Sequence, residues 1–240
     1  MIVNGDITNG NHHIEIMGGA LDGNKDGQSA GQLYGIWFVR VQQLRITDLE
    51  VLDCGADGIC VSGDGQQMRD AVLQNLRVSG NQRGLTVKDG MQNVLVSDLY
   101  AAGNADYGVC SEHAEGLYQN ICANENDGAG ILIRNIFGGS YNNLTATRNG
   151  GIGMKIVGMV ASLGNNWHAH NNSRSSSGTF SDMFFDPDAS LSYGITTNTL
   201  LSNISAGPSL GYGAETEKSA VEFGAGVRDG LQISNLLELQ

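Results

Sequence analysis

The sequence predicts an all-β protein: a single-stranded right-handed parallel β-helix, a solenoid of coils of about 23 residues with three strands each. Three observations carry that expectation. A glycine followed by an apolar-x-apolar step recurs at Gly35, Gly58, Gly84, Gly108, Gly130 and Gly153, at spacings of 23, 26, 24, 22 and 23. Two further series keep the period: Leu49, Leu76, Leu99, Ile121, Leu144 and Trp167, and five residues later Cys54, Asn81, Asn104, Asn126, Asn149 and Asn172. Inside a unit the apolar residues come two apart, the period of a strand, and no stretch of helix length is amphipathic. A repeat of this size means stacked units that bury their apolar faces only against neighbours.

Each part of the coil has its residues. Ile36 and Phe38 begin one strand, Leu44 and Ile46 a second, Leu49 and Val51 a third. The three-residue step from Ile46 to Leu49 breaks the alternation and marks a corner. Gly and Asn tolerate positive φ and supply the turns. The columns Asp48, Asn75, Asp98, Asn120, Asn143, Asn166 and Asn81 to Asn172 let side-chain amides bond from coil to coil. Glycine makes up 35 of 240 residues, about double the usual ~7%, and only two prolines interrupt the strands.

Regular coils run from about residue 13 to 172, and looser, loop-rich coils from 173 to 240, after a Ser-rich loop from Asn171 to Thr179. Ile204 and Leu236 read as later members of the second series. One domain over 1–240 is the natural reading at this length. Both ends, Met1-Ile2-Val3 and Leu236 to Gln240, read as bare strand. That suggests a fragment of a longer chain, or ends capped by a partner chain, as in a homotrimer.

Met1 is followed by no basic segment and apolar core, so no signal peptide is visible, and no run is long and apolar enough to span a membrane. Cys60 and Cys110 share a column but lie two coils apart, roughly 10 Å, too far for a bridge, so free thiols are expected. The net charge of −12 argues against nucleic acid or anionic membranes as partners. A polyanionic ligand would have to meet a local basic cluster.

The repeat also predicts one. Residues two and four after each glycine should face outward. The column four after it reads Val39, Ser62, Lys88, Glu112, Arg134, Val157; the next reads Arg40, Gly63, Asp89, His113, Asn135, Gly158. The column before the glycine reads Tyr34, Asp57, Arg83, Tyr107, Ala129, Ile152. Column neighbours lie ~4.8 Å apart. Arg83, Lys88, Asp89, Tyr107, Glu112, His113 and Arg134 are therefore expected on one face, with Asn135 beside them and Trp37 and Tyr34 projecting from an earlier coil. Lys88, Glu112 and Arg134 alternate in sign and could equally form a solvated salt-bridge ladder.

Such a cluster suits a uronate. Removing the proton on carbon five requires the adjacent carboxylate to be neutralised, a task for Arg134 or Lys88. His113 has a suitable intrinsic pKa for the base, and Tyr107 could serve if Arg83 and Lys88 lowered its value from ~10. Arg83, Asp89, Asn135, Trp37 and Tyr34 would bind the chain, and Glu112 would assist the chemistry. Returning a proton from the other face gives epimerisation; expelling the oxygen on carbon four gives eliminative cleavage.

The segment Gly19-Ala20-Leu21-Asp22-Gly23-Asn24-Lys25-Asp26, followed by this coil pattern, resembles the opening motif of mannuronan (alginate) epimerase modules within the pectate-lyase-like right-handed β-helix superfamily. Those epimerases carry Tyr-Gly-Phe-Asp-Pro-His-Glu one coil on. Here that place reads Asp57-Gly58-Ile59-Cys60-Val61-Ser62-Gly63, and a partial echo, Tyr107-Gly108-Val109-Cys110-Ser111-Glu112-His113, comes two coils later. The resemblance implies a β-helix acting on an acidic polysaccharide, and an extracellular location, secreted or virion-associated, is expected.

No cofactor is required by this chemistry. Calcium is one option, since Asp22, Asn24 and Asp26 match the first half of a calcium loop, but Leu33 stands where the bidentate Glu would be. Asp186 and Asp188 around Pro187 are a second calcium option. Three functions therefore compete: a polyuronate lyase or epimerase, a glycan-binding or structural solenoid such as a phage tail-spike segment, and a glycoside hydrolase. The last needs two carboxyls ~5–9.5 Å apart, for which Asp89 and Glu112 are the sequence candidates.

Overall fold

The computed structural model describes residues 1–28, 33–175, 180–186, 199–206, 221–223 and 231–238. The pairings between its strands are parallel and join segments about one repeat apart. One column runs Ile36, Ile59, Leu85, Val109, Ile131, Met154, Met183, Val221. Another runs Leu49, Leu76, Leu99, Ile121, Leu144, Trp167, Ile204, Leu236. The chain is a parallel β-helix, and the sequence period sets its register. Residues 176–179 of the Ser-rich loop, Pro187 and Asp188 of the second calcium option, and residues 239–240 of the last strand lie outside the described residues.

The strands are longer than three per coil implies. Arg83–Ala102 is one strand of 20 residues and Val109–Asn124 one of 16. They turn corners without breaking because most corners are a single left-handed residue, the exception in these strands being the Asp89–Gly90 pair. At one corner these are Asp48, Asn75, Asp98, Asn120, Asn143 and Asn166, with φ between 52° and 59°. Asn and Asp enter this region at little cost, which is why they recur there. On this exposed corner the amides of Asn120, Asn143 and Asn166 each donate 2.9 Å to the previous rung.

The second Asn column is buried and bonds more fully. Each Oδ1 accepts from the backbone N–H of the rung before, from Cys54 at 2.9 Å through Asn149 at 3.0 Å. Each Nδ2 donates to a backbone carbonyl about a coil behind it, such as Ala101 O for Asn126 and Ala123 O for Asn149, both at 3.2 Å. This ladder explains the glycine series: a Cβ on Gly108 or Gly130 would stand 2.6 Å from the Nδ2 of Asn126 or Asn149. Inside, Ile36, Leu44, Ile59, Leu73, Leu85 and Met91 are fully buried. Trp167 is buried too, its Nε1 donating 2.8 Å to Tyr141 O.

Candidate functional site

The first strand of each coil places the expected cluster on one outer face. The columns pair as read: Val39–Ser62–Lys88–Glu112–Arg134–Val157 and Asp57–Arg83 are in direct register. Gly84 N–H bonds to Tyr107 O and Gly108 N–H to Ala129 O, which extends the second column. In the four middle coils the position two after the glycine is not open surface as expected. Cys60, Thr86, Cys110 and Leu132 are at most 5% exposed, and Tyr107 packs over Cys110, Leu132 and Val157 as a small outer cluster. The longer side chains of the flanking columns roof this strip.

Each of the three expected cations, Arg83, Lys88 and Arg134, is held by a carboxylate. Arg134 Nη1 lies 3.2 Å from Glu112 Oε1, and Lys88 Nζ lies 3.3 Å from Asp89 Oδ2. The alternating ladder therefore forms only in its lower half, because Lys88 turns to Asp89 rather than to Glu112. Asp89 also accepts from Ser62 Oγ at 3.2 Å. Arg83 is gripped from both sides, by Asp57 at 3.8 Å and Asp106 at 3.3 Å. Burial works against the charge of Lys88 and of Arg134, and Asp89 and Glu112 more than offset it, so both are held above their ordinary values.

Four site residues depart from expectation. The Tyr107 phenol is not lowered: burial and then Asp106 push it up, more than Arg134 and Arg83 pull it down. His113 stands in the left-handed corner column, φ 49°, exposed, one residue past the strand face. Alternation fails at such a corner, so His113 shares the coil of Tyr107 and Glu112 without bonding to them. Asn135 occupies the same column on the next coil and is buried. Its Oδ1 has no hydrogen-bond partner among the described residues. Asp57, read only as a column member, is 5% exposed under Arg83, so Asp89 and Glu112 are not the face's only acids. Burial raises its pKa against the pull of the Thr86 hydroxyl, Arg83 and Lys88. Its place beside Arg83 in the column was the available signal.

Tyr34 and Trp37 stack at 5.5 Å with their planes 19° apart, both half-buried at one end of the face. The segment at Asp22 is a turn, where Asp22 Oδ1 accepts the Asn24 N–H at 2.7 Å and Lys25–Gly27 is a single 3-10 turn. Among the described residues no three His, Cys, Asp or Glu side chains converge to hold a metal. All four cysteines are free.

Among solved structures, the A-module of the Azotobacter vinelandii mannuronan C-5 epimerase AlgE4 is similar at a TM-score of 0.67 and 14% identity, over 95% of this chain and 74% of that one. The periplasmic alginate epimerase AlgG, as its D317A mutant, gives a TM-score of 0.63 and 11% identity, over 86% of this chain and 48% of that one. The chain thus spans about half the length of AlgG, and at these identities the likeness is one of fold. No curated protein sequence matches the chain. The family model described as "Right handed beta helix region" matches residues 34–222. That span covers more than half of the chain, and parallel coils with a buried Asn ladder from Asn81 to Asn172 lie within it, so the chain belongs to the right-handed β-helix family.

Proposed function

We propose that the protein is a carbohydrate-active β-helix whose outer face binds an acidic polysaccharide and acts on its uronate units at carbon five, as a lyase or an epimerase. The observation that supports this most is the setting of Arg134. Its guanidinium is fixed through Nη1 by Glu112, its side chain is 35% exposed, and its charge is felt at the Tyr107 phenol. The remaining N–H edge can take a substrate carboxylate bidentately. That neutralises the carboxylate and lets electrons from the breaking C5–H bond move into it. His113 takes the proton. Tyr107, kept protonated by burial, returns one to the opposite face of carbon five or to the oxygen leaving carbon four. The likeness to alginate epimerases supports the same chemistry, and a periplasmic or extracellular location fits it.

The charge balance favours a second reading. Four carboxylates, Asp57, Asp89, Asp106 and Glu112, face three cations, which suits a neutral glycan held without turnover on the Tyr34–Trp37 stack. Incubation with alginate, polygalacturonate and neutral glycans separates the two. The uronate reading expects unsaturated or epimerised product, seen by ultraviolet absorbance or proton NMR; binding of neutral glycans alone overturns it. Arg134→Lys should lower activity roughly tenfold or more by losing the planar fork, while stability measured by urea unfolding moves by less than ~1 kcal/mol.

A further inference from the structure

Arg83 lies between two carboxylates of unlike setting. On the preceding coil Asp57 Oδ1 is 3.8 Å from Nη1, with its side chain 7% exposed; on the following coil Asp106 Oδ2 is 3.3 Å from Nε, with its side chain 35% exposed. The Arg83 side chain itself is 43% exposed, so its outer edge meets solvent. A ligand carboxylate arriving there would be a third anion on one guanidinium. Water screens Asp106 against it, but not Asp57. The groups facing Asp57 are Arg83, Lys88, Asp106, the Tyr34 phenol and the thiols of Cys60 and Cys110. The Thr86 hydroxyl, Arg83 and Lys88 favour its charge, and the two cations would be shared with the ligand.

We propose that Asp57 and Arg83 form a proton-linked carboxylate site, in which a ligand carboxylate takes over Arg83 as Asp57 takes up a proton from solvent. This rests on the uronate reading and adds a regulation to it. Neutral Asp57 leaves the positive charge of Arg83 to the ligand, and a buried neutral carboxyl costs less than a buried anion whose partner is shared. Linkage is reciprocal, so acidification must strengthen binding. Burial already raises the Asp57 pKa above its ordinary value.

The test is calorimetric titration of the intact protein with polygalacturonate at pH 7 and pH 5, in two buffers of different ionisation heat. Wild type should take up protons on binding and bind about five- to tenfold tighter at pH 5. Asp57→Asn should bind at pH 7 as tightly as wild type does at pH 5, without pH dependence. Proton-silent binding by wild type, or weaker binding by folded Asp57→Asn, overturns the linkage and leaves Asp57 as a support for Arg83. No binding by either protein at either pH overturns the linkage and the uronate reading together. The wild-type proton count decides the matter even if the variant fails to fold.

Discussion

Asn126→Leu is expected to destabilise the protein by about 2–5 kcal/mol, although leucine is close to asparagine in shape. Asn126 Oδ1 accepts the Asn104 backbone N–H at 3.1 Å and the Asn104 amide at 2.8 Å. Its Nδ2 donates 3.2 Å to Ala101 O and 2.9 Å to Asn149 Oδ1. Leucine leaves the Asn104 N–H and the Ala101 carbonyl buried and unpaired, each costing about 1–3 kcal/mol. It also presents a methyl where Gly108 has been kept bare for an amide. Urea unfolding measures the loss as a lower midpoint at unchanged slope. A variant as stable as wild type would remove the ladder from the account of this fold.

Asp182→Asn should act in the opposite direction above pH 6. Asp182 ends the ladder: its Oδ1 accepts the Asn172 N–H at 3.1 Å and the Asn172 amide at 2.6 Å, as each earlier rung does. Its Oδ2 stands where those rungs place a donating Nδ2, and it has no hydrogen-bond partner among the described residues. Asp182 is fully buried, and burial pushes its pKa up to about 6, against the pull of the two Asn172 bonds. A folded value above the unfolded 3.8 means that stability is fully present below about pH 4 and is lost as pH rises through about 6. At 1.36 kcal/mol per unit the loss reaches about 3 kcal/mol. Asparagine supplies the missing donor at every pH. The difference in unfolding free energy between variant and wild type should therefore grow from pH 4 to pH 6.5 and then level off. A pH-independent difference would show that Asp182 is not the titrating group.

The repeat made the architecture legible because a solenoid writes its register into its period. Gly108, Asn126 and Ile121 each stand about 23 residues from their structural equivalents, and the pairing follows them. Three things escaped that logic. Asp182 follows Asn172 by only ten residues, so the last rung falls outside the period and carries the wrong residue type for the column. The corners escaped as well. Alternation predicts where a side chain points only along a continuous strand, and a left-handed residue resets it. His113 and Asn135 sit on such a corner, one exposed and one buried. Lys88, Glu112 and Arg134, on the strand itself, face outward as read. The roofing of Cys60 and Thr86, and with it the burial of Asp57, depends on how long neighbouring side chains fold over the strip, which no period records.

The most direct measurement is deuterium incorporation at carbon five. Alginate and polygalacturonate are incubated with the protein in deuterated water, and the recovered sugars are read by proton NMR. Deuterium is expected at carbon five, or a C4–C5 double bond in its place, with both abolished in a folded His113→Ala protein, which lacks the group that takes the proton. This readout covers lyase and epimerase alike, since each must break the same C–H bond. Intact carbon-five protons and no unsaturation in either polymer, from protein that binds them, would contradict proton abstraction and leave the face as a glycan-binding surface.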